Sequence, residues 1–353
     1  MQMREEKLKI GITHGDINGI GYEIIIKTFL DHRIFDICTP ILYGSPKVAA
    51  YHRKALDISN FSLNIIKSPV EAASKRPNII NCTDDEIRVE LGKSTAIAGE
   101  ASHLALTRAV QDLKDNKIHA LVTAPVNKAN IQSASFNFPG HTEYLKTCFG
   151  TENVLMLMIS DVLKVGIVTA HVPLKDVPSL LTTDLILSKL RVLNRSLSED
   201  FRIRRPVIAV LGLNPHAGEE GLLGSEERDI ILPAINKAKD EKIIAIGPFS
   251  SDGFFGSGEF RKFDATLAMY HDQGLAPFKS IAFDQGVNYT AGLPIVRTAP
   301  AHGTAFEIAG KNLANNDSFR KALYAACDIY HNRIAEAEIA SNPLPEANLS
   351  ELS

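Results

Sequence analysis

Short apolar runs alternate with amphipathic helical stretches along nearly the whole chain, and few folds accept that alternation. A strand that pairs parallel to its neighbour needs a long crossover, usually a helix, so the pattern predicts a mainly parallel sheet covered by helices. Strands are expected at 9–13, 40–43, 120–124, 154–159, 164–170, 207–213, 243–246 and 266–270. Helices are expected at 99–116, 184–197, 226–242 and 317–340. In the first helix, Leu106, Ala109, Val110 and Leu113 share one face at the 3.6-residue period. A chain of 353 residues exceeds one core of ordinary size, so two α/β lobes are the expected arrangement.

Composition excludes several classes. With 45% hydrophobic and 22% charged residues the chain is globular, not disordered. A net charge of -3 and the absence of a basic block argue against a nucleic-acid partner. Apolar runs such as 154–159 are too short to span a bilayer, and the charged start MQMREEKLKI does not read as a secretion signal. Cys38, Cys82, Cys148 and Cys327 lie far apart with no CxxC pair, so they read as reduced, mostly buried thiols and point to the cytoplasm. The polar tail after Ala340 is expected to be disordered.

Three histidines repeat one local pattern: an apolar run ends and His171, His216 or His271 follows. Ligands of open parallel sheets bind at the carboxyl ends of strands, where residues distant in sequence converge. Three neutral imidazoles form a common metal set that leaves positions open for substrate oxygens. The plainer alternative is that each histidine bonds to nearby backbone at its strand end. Asp272 could orient a ligand, act as a base or simply cap a turn.

A fourth histidine lies in FPGHTE at 138–143, which reads as a loop opening a helix. Amides at such a terminus, with His141 and Thr142, can hold an anion; the alternative is a Thr N-cap. Lys128 follows a strand, and Lys279, Asn288 and Arg297 are spread through a Gly- and Pro-broken region where spacing alone assigns no role. The segment GDINGIG at 15–21 lacks the G-x-G-x-x-G spacing of a dinucleotide fingerprint. It is read as a turn into a helix, with Asp16 available as the cap.

HGDINGIG, VTAPVNK, FPGHTEYL, GLNPHAGE, MYHDQGLAPFK, GVNYTAGLPIVRT and AHGTAFEIAG occur in one order between His14 and Gly310. In that order the blocks resemble the 4-hydroxythreonine-4-phosphate dehydrogenase family of vitamin B6 biosynthesis. The last block is also similar to the adenine-binding loop of isopropylmalate and isocitrate dehydrogenases, which bind NAD in an interdomain cleft without a Rossmann fingerprint. One departure stands out: the family commonly reads GDPAGIGPE where this chain reads GDINGIGYE, with Ile17, Asn18 and Tyr22 as the replacements.

The resemblance implies two α/β/α lobes with mainly parallel sheets and an active-site cleft between them. Residues 1–128 with 286–340 would form a discontinuous NAD-binding lobe, 129–285 a metal-binding and dimerisation lobe, and 341–353 a tail. It implies His171, His216 and His271 as metal ligands at a homodimer interface. His141, Thr142, Lys279, Asn288 and Arg297 would hold the phosphorylated substrate, and His302, Gly303, Thr304 and Glu307 the cofactor. Zinc is the first expectation, with magnesium, manganese or cobalt as substitutes. A carboxylate at Glu307 would accept from both ribose hydroxyls and repel a 2′-phosphate, favouring NAD over NADP. The implied reaction is oxidation and decarboxylation of 4-phosphooxy-threonine, with Lys128 or Asp272 as the general base. Alternatives are a dehydrogenase of 4-phosphothreonate or 4-phosphoerythronate, a metal-dependent phosphatase, and a non-catalytic metabolite-binding protein.

Overall fold

The computed structural model describes residues 7–84, 86–133 and 136–341. The expected tail at 342–353 and the first six residues lie outside the described residues. Among the described residues twelve strands form one sheet: β1 (Leu8–Thr13), β2 (Cys38–Gly44), β3 (Asn64–Ile66), β4 (Asn78–Asn81), β5 (Ala120–Thr123), β6 (Leu155–Ile159), β7 (Lys164–Thr169), β8 (Val207–Leu211), β9 (Ile244–Phe249), β10 (Ala265–Tyr270), β11 (Val287–Ala291) and β12 (Val296–Pro300). Their order across the sheet is β3-β4-β2-β1-β5-β12-β11-β6-β7-β10-β8-β9.

Every neighbouring pair is parallel except β12–β11, β11–β6 and β6–β7. Those reversals make the block β3 to β12 and the block β7 to β9 run in opposite senses. The mainly parallel α/β class is therefore as expected. The two blocks are joined through β11, which bonds β12 on one side and β6 on the other. Expected strands and observed ones coincide to within a few residues, but β3, β4, β11 and β12 were not anticipated. Gly292, with φ +86, turns the chain between β11 and β12, and a Cβ there would lie 2.3 Å from Asn153 O. The Gly and Pro residues that broke the sequence pattern here serve this turn.

Helices cover the sheet as the apolar periodicity requires. In the helix Ala96–Lys114, Leu106, Ala109, Val110 and Leu113 are buried against Ile41, Tyr43 and Leu121, and Thr95 caps its start by accepting from Ala98 N at 3.3 Å. Burial of each such aliphatic side chain contributes about 1.5–3 kcal/mol. The helix Thr183–Glu199 buries Leu187, Leu190 and Leu193 and is capped by Thr182 in the same way. The helix Asp317–Ser341 buries Phe319, Ala322 and Leu323.

The helix expected at 226–242 is split. A π turn at Glu227–Ile231 runs into the α-helix Leu232–Asp240. Pro233 has no N–H to give to the preceding turn, so a shift of hydrogen-bond register there costs less than in an ordinary helix. The shift comes with a buried Glu227 whose carboxylate accepts from Leu213 N and Asn214 N, both at 2.7 Å. Cys38 and Cys327 are buried and Cys82 and Cys148 half-buried, all as free thiols. Among the described residues no helix is long and apolar enough to cross a membrane.

Candidate active site

The antiparallel junction of the sheet carries a buried guanidinium. Register sets Arg297 beside Leu121 of β5, and its side chain reaches hydroxyls on both flanking strands. It donates from Nε and Nη2 to Thr123 Oγ1 at 3.1 and 2.6 Å, and from Nη1 to Thr290 Oγ1 at 3.2 Å. Asn288 lies two residues before Thr290, hence on the same face of β11. Arg297 is only 5% exposed and forms no salt bridge among the described residues. Burial pulls its pKa down to about 10, with Glu143 opposing the shift, so it stays charged at neutral pH. A buried charge without a direct ion pair is costly, and an anion placed here would offset that cost.

His141 completes the pocket. The helix His141–Phe149 starts at this residue with Gly140 as N-cap, so Thr142 sits in the first turn and does not cap the helix. Arg297 Nη2 lies 3.2 Å from His141 Nδ1. With the guanidinium donating there, Nε2 carries the ring proton, and Nε2 is buried with no partner among the described residues. Burial first, then the charges of Arg297 and Lys128, lower His141 to about 3, so the ring is neutral. The pocket thus offers guanidinium and imidazole N–H donors beside a helix N-terminus, a receptor for an anion.

Lys128 bridges from this pocket to the histidines. Its Nζ is 3.3 Å from His171 Nε2, so loops leaving the carboxyl ends of β5 and β7 meet although these strands run in opposite senses. The His171 and His271 ring centroids are 5.8 Å apart at a 40° tilt. Burial and Lys128 lower His171, Glu143 opposes and His271 lowers it further, which favours the neutral ring. His271 Nδ1 is 2.7 Å from Asp272 Oδ1. Asp272 therefore orients this imidazole, as a carboxylate does behind a metal-bound histidine.

His216 follows β8, the strand next to β10, but does not join the other two rings. Among the described residues no three His, Cys, Asp or Glu side chains are grouped closely enough to hold a metal ion. His216, Ala217, Gly218, Glu219 and Glu220 have φ of 53°, 52°, 83°, 44° and 54°, a left-handed run costing roughly 1–2 kcal/mol for each non-glycine residue. The Glu227 carboxylate, bonded to Leu213 N and Asn214 N, anchors the base of that turn.

The loop at 302–307 packs on the GDINGIG turn. Ile20 N donates to Thr304 O at 3.1 Å, and a Cβ on Gly19 would come within 2.8 Å of the same oxygen. Gly303 and Glu307 are exposed, and His302 Nε2 is buried without a partner among the described residues. Burial lowers His302, its bond to the Gly303 carbonyl opposes, and the charge of Lys279, on the helix His271–Ala282, lowers it further. Asp16 does not cap the helix Gly21–Phe29, which has no side-chain cap. Its carboxylate instead accepts from Asn18 N and Asn130 Nδ2, both at 2.8 Å. Asn18 in turn accepts from Glu90 N at 2.7 Å and donates to Lys93 O and Thr95 Oγ1.

Thr123, Thr290 and Glu143 were not singled out from sequence. All three sit inside the VTAPVNK, GVNYTAG and FPGHTEYL blocks, and for the two threonines a hydroxyl on a strand was the available signal.

The family model described as "Pyridoxal phosphate biosynthetic protein PdxA" matches residues 36–326. The chain belongs to this family. A PdxA relative from Bacteroides thetaiotaomicron, named 4-hydroxythreonine-4-phosphate dehydrogenase, is 54% identical over 97% of this chain and 94% of its own length. One of the same name from Aquifex aeolicus is 41% identical over 89% of this chain and 96% of its own. The crystal structure of the Klebsiella pneumoniae 4-hydroxythreonine-4-phosphate dehydrogenase matches with a TM-score of 0.79 at 34% identity, over 92% of this chain and 98% of that one. A terephthalate 1,2-cis-dihydrodiol dehydrogenase from Burkholderia xenovorans LB400 matches with a TM-score of 0.60 at 25% identity, over 92% and 98%. Within reach of the PdxA fold, then, substrates of quite different chemistry occur.

Proposed function

We propose that this protein oxidises and decarboxylates 4-phosphooxy-L-threonine to 3-amino-2-oxopropyl phosphate, with NAD as hydride acceptor, in pyridoxal phosphate biosynthesis. The observation that carries the reading is the buried Arg297, without a salt bridge among the described residues, beside a neutral His141. A receptor of that kind suits a phosphoryl group, and PdxA relatives across most of the chain carry the corresponding name.

His141, Thr142, Arg297, Asn288 and Lys279 would bind and orient the substrate. His302, Gly303, Thr304 and Glu307 would bind the dinucleotide, with the exposed Glu307 carboxylate disfavouring NADP. Hydride leaves C3 for NAD while its hydroxyl loses a proton, giving a β-keto acid. That acid then loses carbon dioxide, and a proton returns to carbon. Lys128, within hydrogen-bond distance of His171, is the stronger candidate to move these protons, because Asp272 is engaged with His271.

Two neutral or oriented imidazoles 5.8 Å apart, one backed by a carboxylate, fit a divalent cation, with zinc first and magnesium, manganese or cobalt as substitutes. His171 and His271 would hold it together with His216 from a second copy of the chain. When bound, such an ion supplies Lewis-acid polarisation of the hydroxyl and stabilises the enolate charge. A homodimer would also cover exposed apolar side chains that follow His171 and His216 in sequence, Leu174 at 68% and Leu222 at 81% exposed. Residues 1–128 with 286–340 would carry the cofactor, and 129–285 the metal and the dimer contact. The free thiols accord with the cytoplasm.

The test is incubation of metal-loaded protein with 4-phosphooxy-L-threonine and NAD or NADP, following reduced cofactor and carbon dioxide together. Equal amounts of both products, faster with NAD, are expected. Phosphate release without cofactor reduction would replace the reading with a phosphatase.

A further inference from the structure

An acid stands among the cations of the pocket. Glu143 lies in the first turn of the helix His141–Phe149 and is half-buried. A Cβ built on Gly140 would meet Glu143 Oε2 at 3.4 Å and Lys128 Cε at 3.7 Å, so the carboxylate and the lysine flank one point. From there the contacts continue to His171 through Lys128. The Glu143 backbone carbonyl accepts from Thr147, but its carboxylate has no hydrogen bond or ion pair among the described residues. Its charge reaches both Arg297 and His171. An acid near a helix N-terminus is favourable on its own account. That preference explains the residue type, but not an unengaged carboxylate facing three basic side chains.

Substrate chemistry supplies a use for it. The proposed substrate carries a phosphate, a carboxylate and a secondary hydroxyl, for which Arg297, His141, Lys128 and the histidines suffice. It also carries an ammonium group on C2, which a pocket charged only by Arg297 and Lys128 would repel. We infer that Glu143 receives that ammonium group and so selects an amino acid over the corresponding hydroxy acid. The inference rests on the substrate reading above and deepens it.

The experiment compares wild type with the isosteric Glu143→Gln on 4-phosphooxy-L-threonine and on the 4-phosphothreonate of matching configuration, which has a hydroxyl in place of the ammonium. Steady-state kcat/KM and calorimetric binding are both measured, with Glu143→Asp as the conservative variant. E143Q should lower kcat/KM for the amino acid roughly 10- to 100-fold, the loss of one charge-assisted hydrogen bond. The value for the hydroxy acid should hold or rise, and E143D should recover part of the loss. An equal fall on both compounds would make Glu143 a general positioning residue and overturn the inference, as would no fall on either. If wild type neither binds nor turns over the amino acid, the substrate reading itself fails and the inference with it.

Discussion

Arg297 and His216 both lie in blocks shared with the PdxA family, yet the fold treats them differently. Arg297 is held inside the chain by hydroxyls on strands β5 and β11 and by the neutral His141, so its pocket is assembled in a single copy. His216 sits on a strained, exposed turn, away from the two rings it would have to join. The contrast teaches that the pocket around Arg297 is preorganised by the sheet, whereas His171, His216 and His271 do not converge within one copy among the described residues.

The largest effect should come from the preorganised side. Arg297→Ala removes the buried charge and the one guanidinium N–H not already donated to Thr123, Thr290 or His141, so kcat/KM should fall about 10^2-fold with little change in KM for NAD. Normal substrate binding by this variant would show that the buried charge serves the fold alone.

The next effect tests the incomplete side. His171→Ala and His216→Ala should each lose most activity. If His216 is supplied by a second copy, mixing and reassociating the two should restore about a quarter of wild-type activity. Random pairing gives half heterodimers, each with one intact site. No recovery on mixing, with heterodimers shown to form, would place the ligands within one chain.

Acid should separate the regions further. Burial lowers His14 and His52 to about 4 and His141 to about 3, against 6.5 when unfolded. The unfolded chain therefore takes up protons first. Stability is complete above 6.5 and is lost as pH falls toward 4, by up to about 1.4 kcal/mol per pH unit for each histidine. Thermal unfolding across this window should show Tm falling, and His52→Gln should flatten the slope. The smallest effect concerns the strained turn. Ala217→Gly should raise stability by roughly 0.5–1 kcal/mol, because glycine accepts a φ of 52° freely while gaining entropy when unfolded. If metal loading relaxes the turn, the gain in Tm should vanish in the loaded protein.

Legibility in the sequence followed how local each signal was. Strands β1, β2, β5 to β8 and β10, and the long helices, announced themselves by apolar runs and periodicity. Strands β11 and β12 did not, because Asn288, Thr290 and Arg297 interrupt their apolar pattern to face the pocket. The residues that hide these strands are the ones that build the site. Asp16 was misread as a helix cap for a related reason: its partners Asn18 and Asn130 lie on a turn and a distant loop, not on the helix that follows.

By itself the sequence determined the α/β layering, the buried faces of the helices, and the family blocks with their histidines and cations. Those properties depend on local propensity and on residue type. Only the tertiary structure decided that Thr123, Thr290 and His141 surround Arg297, that Lys128 reaches His171, and that Glu143 is left unengaged beside them. Register and strand sense set these contacts, because they bring together side chains on different strands and loops, Thr123 and Arg297 being 174 residues apart, and no local pattern records such a meeting.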